Sequence, residues 1–229
     1  MRKWLCLLLA LMGCTVRSTN NIGGDFVGAP YVLSPLGEGA GIDDDPLIRL
    51  DAFDCTTFVE TVLADANLDK LSRIRYQDGV IDFVHRNHFI ETDWLINNRW
   101  LVQNVSAKYA PTRIRRVTIS KKNWFKRVHG LDVSVDDVDA AIEYIPYENA
   151  QNISVDDAMV VLFIADNAKI RDTIGTDLAV VHMGLLMPDG VLRHASSKAG
   201  CVLDVDFADY VDERRQNKQN LGFVLLEIK

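Results

Sequence analysis

Phe53-Asp54-Cys55-Thr56-Thr57-Phe58-Val59-Glu60 is the stretch from which the fold of this 229-residue chain is read. After it, apolar residues fall at Phe58, Val59, Val62, Leu63 and Ala66, the spacing of one buried helix face. Asp54 is suited to cap that helix, and Thr57 with Glu60 offers a second cap one turn later. Under either cap Cys55 falls in the first turn, where aligned peptide dipoles and unpaired N–H groups favour the thiolate. A cysteine there is either a small packing residue or a nucleophile, and two histidines downstream favour the nucleophile.

The composition is that of an ordinary globular chain, with 48% hydrophobic and 25% charged residues. Nothing repeats at a fixed period, and a single domain with one core is expected. The formal net charge of -7 argues against binding polyanions through the whole surface. One basic run departs from it: Arg113, Arg115, Arg116, Lys121, Lys122, Lys126 and Arg127. Its alternation with Ile114, Val117 and Ile119 reads as an exposed strand rather than a nucleic-acid site.

Arg2 and Lys3 precede the apolar run Leu5–Met12, which has the build of a secretory signal and is too short to span a bilayer. It ends in Leu11-Met12-Gly13-Cys14, which resembles the bacterial lipobox. That resemblance implies a signal peptide over 1–13, lipidation of Cys14 and a polar tether over 14–27. The folded domain is then 28–229. Thr15 after Cys14 resembles outer-membrane sorting, so a periplasmic protein held to the membrane by its lipid alone is expected. In that compartment Cys55 and Cys201 are also candidates for a disulfide.

Residues 67–110 read as helical and loop-rich, with a helix over Tyr76–His85. His85 and His88, with Glu91 or Asp93, have weak metal-ligand spacing but lack the His pair and intervening Glu of zinc proteases, so no metal or other cofactor is expected. Asp43, Asp44 and Asp45 lack the ligand spacing of a calcium loop and read as turn and cap. Asp93 and Trp94 read either as a polar, aromatic-bearing loop beside a cleft or as core.

From Arg113 onward strands dominate: Arg113–Ser120, Tyr144–Pro146, the fully apolar Met159–Ile164, Leu178–Met187, Val191–Ala195 and Leu221–Ile228. Phe207–Arg215 reads as a short helix. Helices followed by sequential strands with short connections indicate an α+β fold, the Cys55 helix packed on an antiparallel sheet.

His182 and His194 lie on either side of the Pro188-Asp189-Gly190 turn. With a three-residue loop, Met187 opposes Val191, His194 faces Gly184 and both histidines share one sheet face. A two-residue Asp189-Gly190 loop, which local turn preference favours, would flip His194 away. The odd loop is expected, because it makes a nucleophile–base–orienter arrangement with Cys55.

Gly28-x-Pro30-Tyr31-Val32, Asp54-Cys55-Thr56, Met159–Ile164, His182-Met183-Gly184-Leu185 and His194-Ala195 resemble, in order, the NlpC-type peptidoglycan hydrolases, which have a papain-like core. Leu36-Gly37-Glu38-Gly39, Phe53–Glu60 and His85–Trp94 resemble their N-acetylmuramoyl-L-alanine amidase-like branch. The resemblance implies Cys55 as nucleophile, His182 as base, His194 as orienting residue and Tyr31 beside the oxyanion. It also implies peptidoglycan or muropeptide as the substrate, while Glu38, Asp93 and Trp94, in the loops around 36–45 and 86–104 where specificity is expected to lie, are the candidate substrate-binding residues. The preferred bond joins N-acetylmuramic acid to L-alanine. The alternatives are cleavage of the stem peptide after D-glutamate, and a non-catalytic envelope lipoprotein with a Cys55–Cys201 disulfide. A monomer is assumed.

Overall fold

A computed structural model describes residues 21–166 and 168–229. The assigned signal peptide and Cys14 lie outside the described residues. Helix α1 (Cys55–Leu63) begins at the quoted stretch, and Asp54 is its cap: its carboxylate accepts from the Thr57 N–H at 2.8 Å while Thr57 Oγ1 accepts from the Asp54 N–H. The Asp54 cap prevails over the later alternative, so Cys55 is the first helical residue. Helix α2 (Leu68–Arg75) follows, capped by Asn67.

Eight antiparallel strands form one sheet: β1 (Val102–Asn104), β2 (Arg113–Ile119), β3 (Val138–Pro146), β4 (Met159–Ala165), β5 (Val180–Leu186), β6 (Val191–Ser196), β7 (Cys201–Asp206) and β8 (Asn220–Ile228). The order is β2-β3-β8-β4-β5-β6-β7, with β1 added on β8. Short helices α3 (Leu95–Asn97) and α4 (Lys121–Trp124), then α5 (Ala168–Ile174) and α6 (Phe207–Arg214), complete the α+β fold.

The unbroken apolar run of β4 has a direct cause, since both faces of the sheet are covered. Val160, Leu162 and Ile164 join Phe58, Val59 and Leu63 of α1 on one face. Val161 and Phe163 join Phe207 and Val211 of α6 on the other.

Three features depart from the sequence-based expectations. No helix spans Tyr76–His85: α2 stops at Arg75, Tyr76 is extended, and Asp78 and Gly79 take positive φ of 52° and 70°. An Asp-Gly pair in that conformation ends a helix rather than continuing it. Strand β7 has no counterpart among the expected strands, although Leu203 and Val205 alternate with Asp204 and Asp206 there. Residues 21–27, assigned to the tether, pack on the domain. Phe26 stacks edge-on against Phe53 at 4.9 Å, and Arg193 donates to the Ile22 carbonyl at 2.8 Å.

Trp94 is core. It is 0% exposed, and its indole N–H donates to Glu60 of α1, whose other oxygen pairs with Arg75 at 2.8 Å. The Arg75 guanidinium also reaches the Leu36 carbonyl, and Tyr76 Oη donates to the Gly37 carbonyl. This buried network ties loop 36–45 to α1 and α2, and Arg86 closes it by pairing with both Glu38 and Asp43.

Candidate active site

The β5–β6 hairpin takes the three-residue loop. Leu185 opposes Arg193 and Leu186 opposes Leu192, and the Met187 N–H donates to the Val191 carbonyl at 2.8 Å. Tertiary pairing thus overrides the Asp-Gly preference for a two-residue loop. The consequence is that His182 and His194 meet, with His182 Nε2 lying 2.7 Å from His194 Nδ1. Gly184 makes room: a Cβ there would stand 3.0 Å from both the His194 Cβ and the Arg193 carbonyl oxygen.

Cys55 meets the same strand at the next residue. The Met183 backbone N–H lies near enough to the sulfur to favour its ionised form. The β5–β6 ladder ends at Leu185–Arg193, short of this point. Tyr31 is brought to Cys55 by a parallel bridge to Phe53 and by its N–H to the Gly200 carbonyl, 2.8 Å away. Burial, with the nearby Cys55 and Asp54, pushes its phenol up to about 12, so it is a neutral hydrogen-bond donor.

The thiol departs from the expectation of a ready thiolate. Burial, and then the Asp54 carboxylate, push Cys55 up to about 11, outweighing the Met183 and Thr56 hydrogen bonds that favour the thiolate. Burial, with His194 and Arg214, drives His182 down to about 3, and burial with Arg214 holds His194 near 4. The resting site therefore holds a neutral thiol and neutral imidazoles. A helix N-terminus does not activate sulfur when burial and an adjacent carboxylate oppose it.

Tyr210, which the sequence reading did not select, completes the site. Its ring lies 5.1 Å from that of His194 and 6.3 Å from that of His182, and Phe163 stacks on His182 at 5.7 Å. Arg214 follows Tyr210 one helical turn later. The i, i+4 spacing of Tyr210 and Arg214 on α6 was the available signal, but nothing local says which strand that face meets. His182, His194, Tyr210 and Arg214 line a cleft of about 510 Å³.

Cys55 and Tyr31 are not among the residues that line this cleft, and neither are Glu38, Asp93 and Trp94. Glu38 is clamped by Arg86. Asp93 is buried at 5% exposure, accepts from the Phe89 N–H and pairs with Lys121, while Trp94 lies in the core. These partners make Asp93 and Trp94 architectural rather than substrate contacts. The possible zinc ligands are likewise separated by their own partners. His85 binds Asp82, His88 faces the Phe83 carbonyl within an aromatic cluster, and Glu91 accepts from the Ala179 and Val180 N–H groups. No group of three or more metal-ligating side chains occurs among the described residues. Cys55 and Cys201 are both free among the described residues. The basic run is largely paired, Arg113 with Glu148, Arg115 with Asp166 and Lys126 with Asp132.

A family model described as AmiA-like, N-acetylmuramoyl-L-alanine amidase-like, matches residues 21–218. Among solved structures, a protein from Legionella pneumophila is similar with a TM-score of 0.83 and 24% identity, over 92% of this chain and 87% of its own. An N-acetylmuramoyl-L-alanine amidase from Bacteroides uniformis is similar with a TM-score of 0.71 and 24% identity, over 92% of this chain and 97% of its own. At that identity both speak for the fold alone. No curated protein matches the chain.

Proposed function

Since the chain belongs to the AmiA-like, N-acetylmuramoyl-L-alanine amidase-like family, we propose that it is a peptidoglycan hydrolase cleaving the amide between N-acetylmuramic acid and L-alanine through Cys55. The observation that carries the mechanism is the 2.7 Å approach of His182 Nε2 to His194 Nδ1 beside the residue that meets the sulfur. With Nε2–H donated to His194, neutral His182 keeps Nδ1 as the basic nitrogen. His194 fixes that tautomer and the ring plane, the role of the third member of a nucleophile triad.

In the proposed reaction the thiol proton passes to His182 Nδ1 as sulfur attacks the amide carbonyl. The Cys55 backbone N–H has no acceptor within its helix, and with the neutral Tyr31 hydroxyl it meets the oxyanion. His182 then returns the proton to the leaving L-alanine nitrogen, the C–N bond breaks and a thioester remains. Water, deprotonated by His182, hydrolyses it and frees Cys55. Because the resting pair is neutral, proton transfer accompanies attack, and a positioned base contributes ~10²–10⁴-fold.

The test is mass spectrometry of material released from purified sacculi. Peptides beginning with L-alanine, absent with Cys55→Ala, are expected. Peptides cut after D-glutamate would replace the bond assignment with the endopeptidase alternative. Full activity in Cys55→Ala would remove the cysteine mechanism. We further propose a periplasmic location through lipid on Cys14; wild type should partition into membranes, and recovery of unacylated soluble protein would refute the anchor.

A further inference from the structure

Arg214 lines the histidine cleft, and behind that lining it carries a guanidinium edge with no partner among the described residues. The edge is Nε with Nη2, the pair this protein uses elsewhere to grip carboxylates. Arg193 holds Asp204 with these two atoms at 2.7 and 2.8 Å, and Arg49 holds Asp51 with them at 2.9 and 2.8 Å. In Arg214 both atoms are buried, and neither has a hydrogen-bond partner among the described residues.

The neighbouring acids are engaged elsewhere, Glu213 with Lys198 and Asp212 with Arg215. Tyr147 is the neighbour that comes nearest to a partner: the arginine charge and a hydrogen-bonding approach both favour its ionised form, yet no bond of normal geometry forms and its buried hydroxyl is also unpartnered among the described residues. What Arg214 does have is aromatic faces, Phe163 at 5.7 Å and Tyr210 at 6.0 Å from its central carbon. These position a cation without satisfying its N–H groups. Keeping desolvated donors unpaired costs stability, whereas a two-pronged carboxylate contact is among the strongest an arginine makes. The chain is otherwise acidic, so a local cation beside both histidines selects for an anion at that point.

The geometry points to Arg214 as a specificity residue that binds a free carboxylate of the peptide substrate beside the amide being cut. Its side chain turns the Nε/Nη2 edge into the cleft as the carboxylate enters. This rests on the hydrolase reading above and narrows its substrate class. In a stem peptide the matching group is the α-carboxylate of D-glutamate, next after L-alanine. Glu213 holds Lys198 at the cleft, which leaves Arg214 to take the anion.

The test uses two synthetic N-acetylmuramoyl tripeptides, L-alanyl-γ-D-glutamyl-L-lysine with the D-glutamate α-carboxyl either free or amidated. Wild type should favour the free acid by at least about tenfold in kcat/KM. Arg214→Gln should bring the ratio close to one, and Arg214→Lys should leave it in between. Equal rates on both probes in wild type, or an Arg214→Gln protein that slows both alike with the ratio kept, would overturn the proposal. Should Arg214→Gln fail to fold by circular dichroism, the wild-type and Arg214→Lys ratios decide. Binding of the same probes to Cys55→Ala and to Cys55→Ala/Arg214→Gln separates this inference from the reaction. If wild type cuts neither probe, acid-selective binding that vanishes with Arg214→Gln keeps the anchor and discards the amidase reading. Binding without selectivity, or none, overturns the anchor.

Discussion

His182 Nε2 and His194 Nδ1 are 2.7 Å apart, so the two imidazoles act as one hydrogen-bonded unit. If His182 is the base proposed above, replacing His194 by Ala should lower kcat on muropeptide by about 10²-fold or more with little change in KM, since His182 loses its tautomer and orientation but not its place. His194→Gln, whose side-chain carbonyl can still accept, should recover part of the loss. Steady-state kinetics of the three proteins check this. A larger effect on KM than on kcat would assign His194 to binding instead.

Asp54 caps α1 and at the same time raises the Cys55 pKa. Asp54→Asn preserves a good cap and removes the charge. Losing a negative neighbour favours the thiolate, so the thiol pKa should fall and alkylation by iodoacetamide near pH 8 should accelerate. In wild type the rate should keep rising with pH toward about 11. A wild-type rate that levels off near neutrality would mean the thiolate already exists.

The Glu60–Arg75 pair is buried, at 2% and 5% exposure, and shares Glu60 with Trp94. Glu60→Ala strands a buried guanidinium and an indole N–H. It should cost about 3–5 kcal/mol in denaturant unfolding. Replacing Arg49 of the exposed Arg49–Asp51 pair should cost far less, because solvent screens that pair. Equal losses at the two sites would contradict the assigned burial.

His88, His182 and His194 are held neutral by burial, near 3, 3 and 4. An unfolded chain takes up their protons around pH 6.5, whereas the fold does not, so the stability they contribute is complete above that pH and is lost as pH falls toward 4. Each histidine should add about 1.4 kcal/mol per pH unit to the slope within that window. Unfolding midpoints between pH 7 and 4 should therefore fall, and His88→Phe should make the fall shallower. A flat profile would show that these histidines are charged in the fold.

Local pattern in the sequence determined the α+β class, a helix with Cys55 in its first turn, the strand Met159–Ile164 and the two histidine-bearing strands. Helical and alternating periodicities are properties of neighbouring residues, so such elements are legible one at a time. The family resemblance supplied the order of those elements and the roles proposed for them. Only the tertiary structure decided what depends on distant chain segments meeting. It chose the three-residue hairpin loop against the local Asp-Gly preference, because both strands are pinned by neighbours in an eight-stranded sheet. It placed Trp94 and Asp93 in the interior, where Glu60 and Lys121 receive them, a choice between cleft and core that the sequence left open. It brought Tyr210 and Arg214 of α6 beside His182 and His194, a meeting no spacing encodes. It also set the charge states, since the helix N-terminus that favours a thiolate is written in the sequence, whereas the burial that opposes it comes from packing.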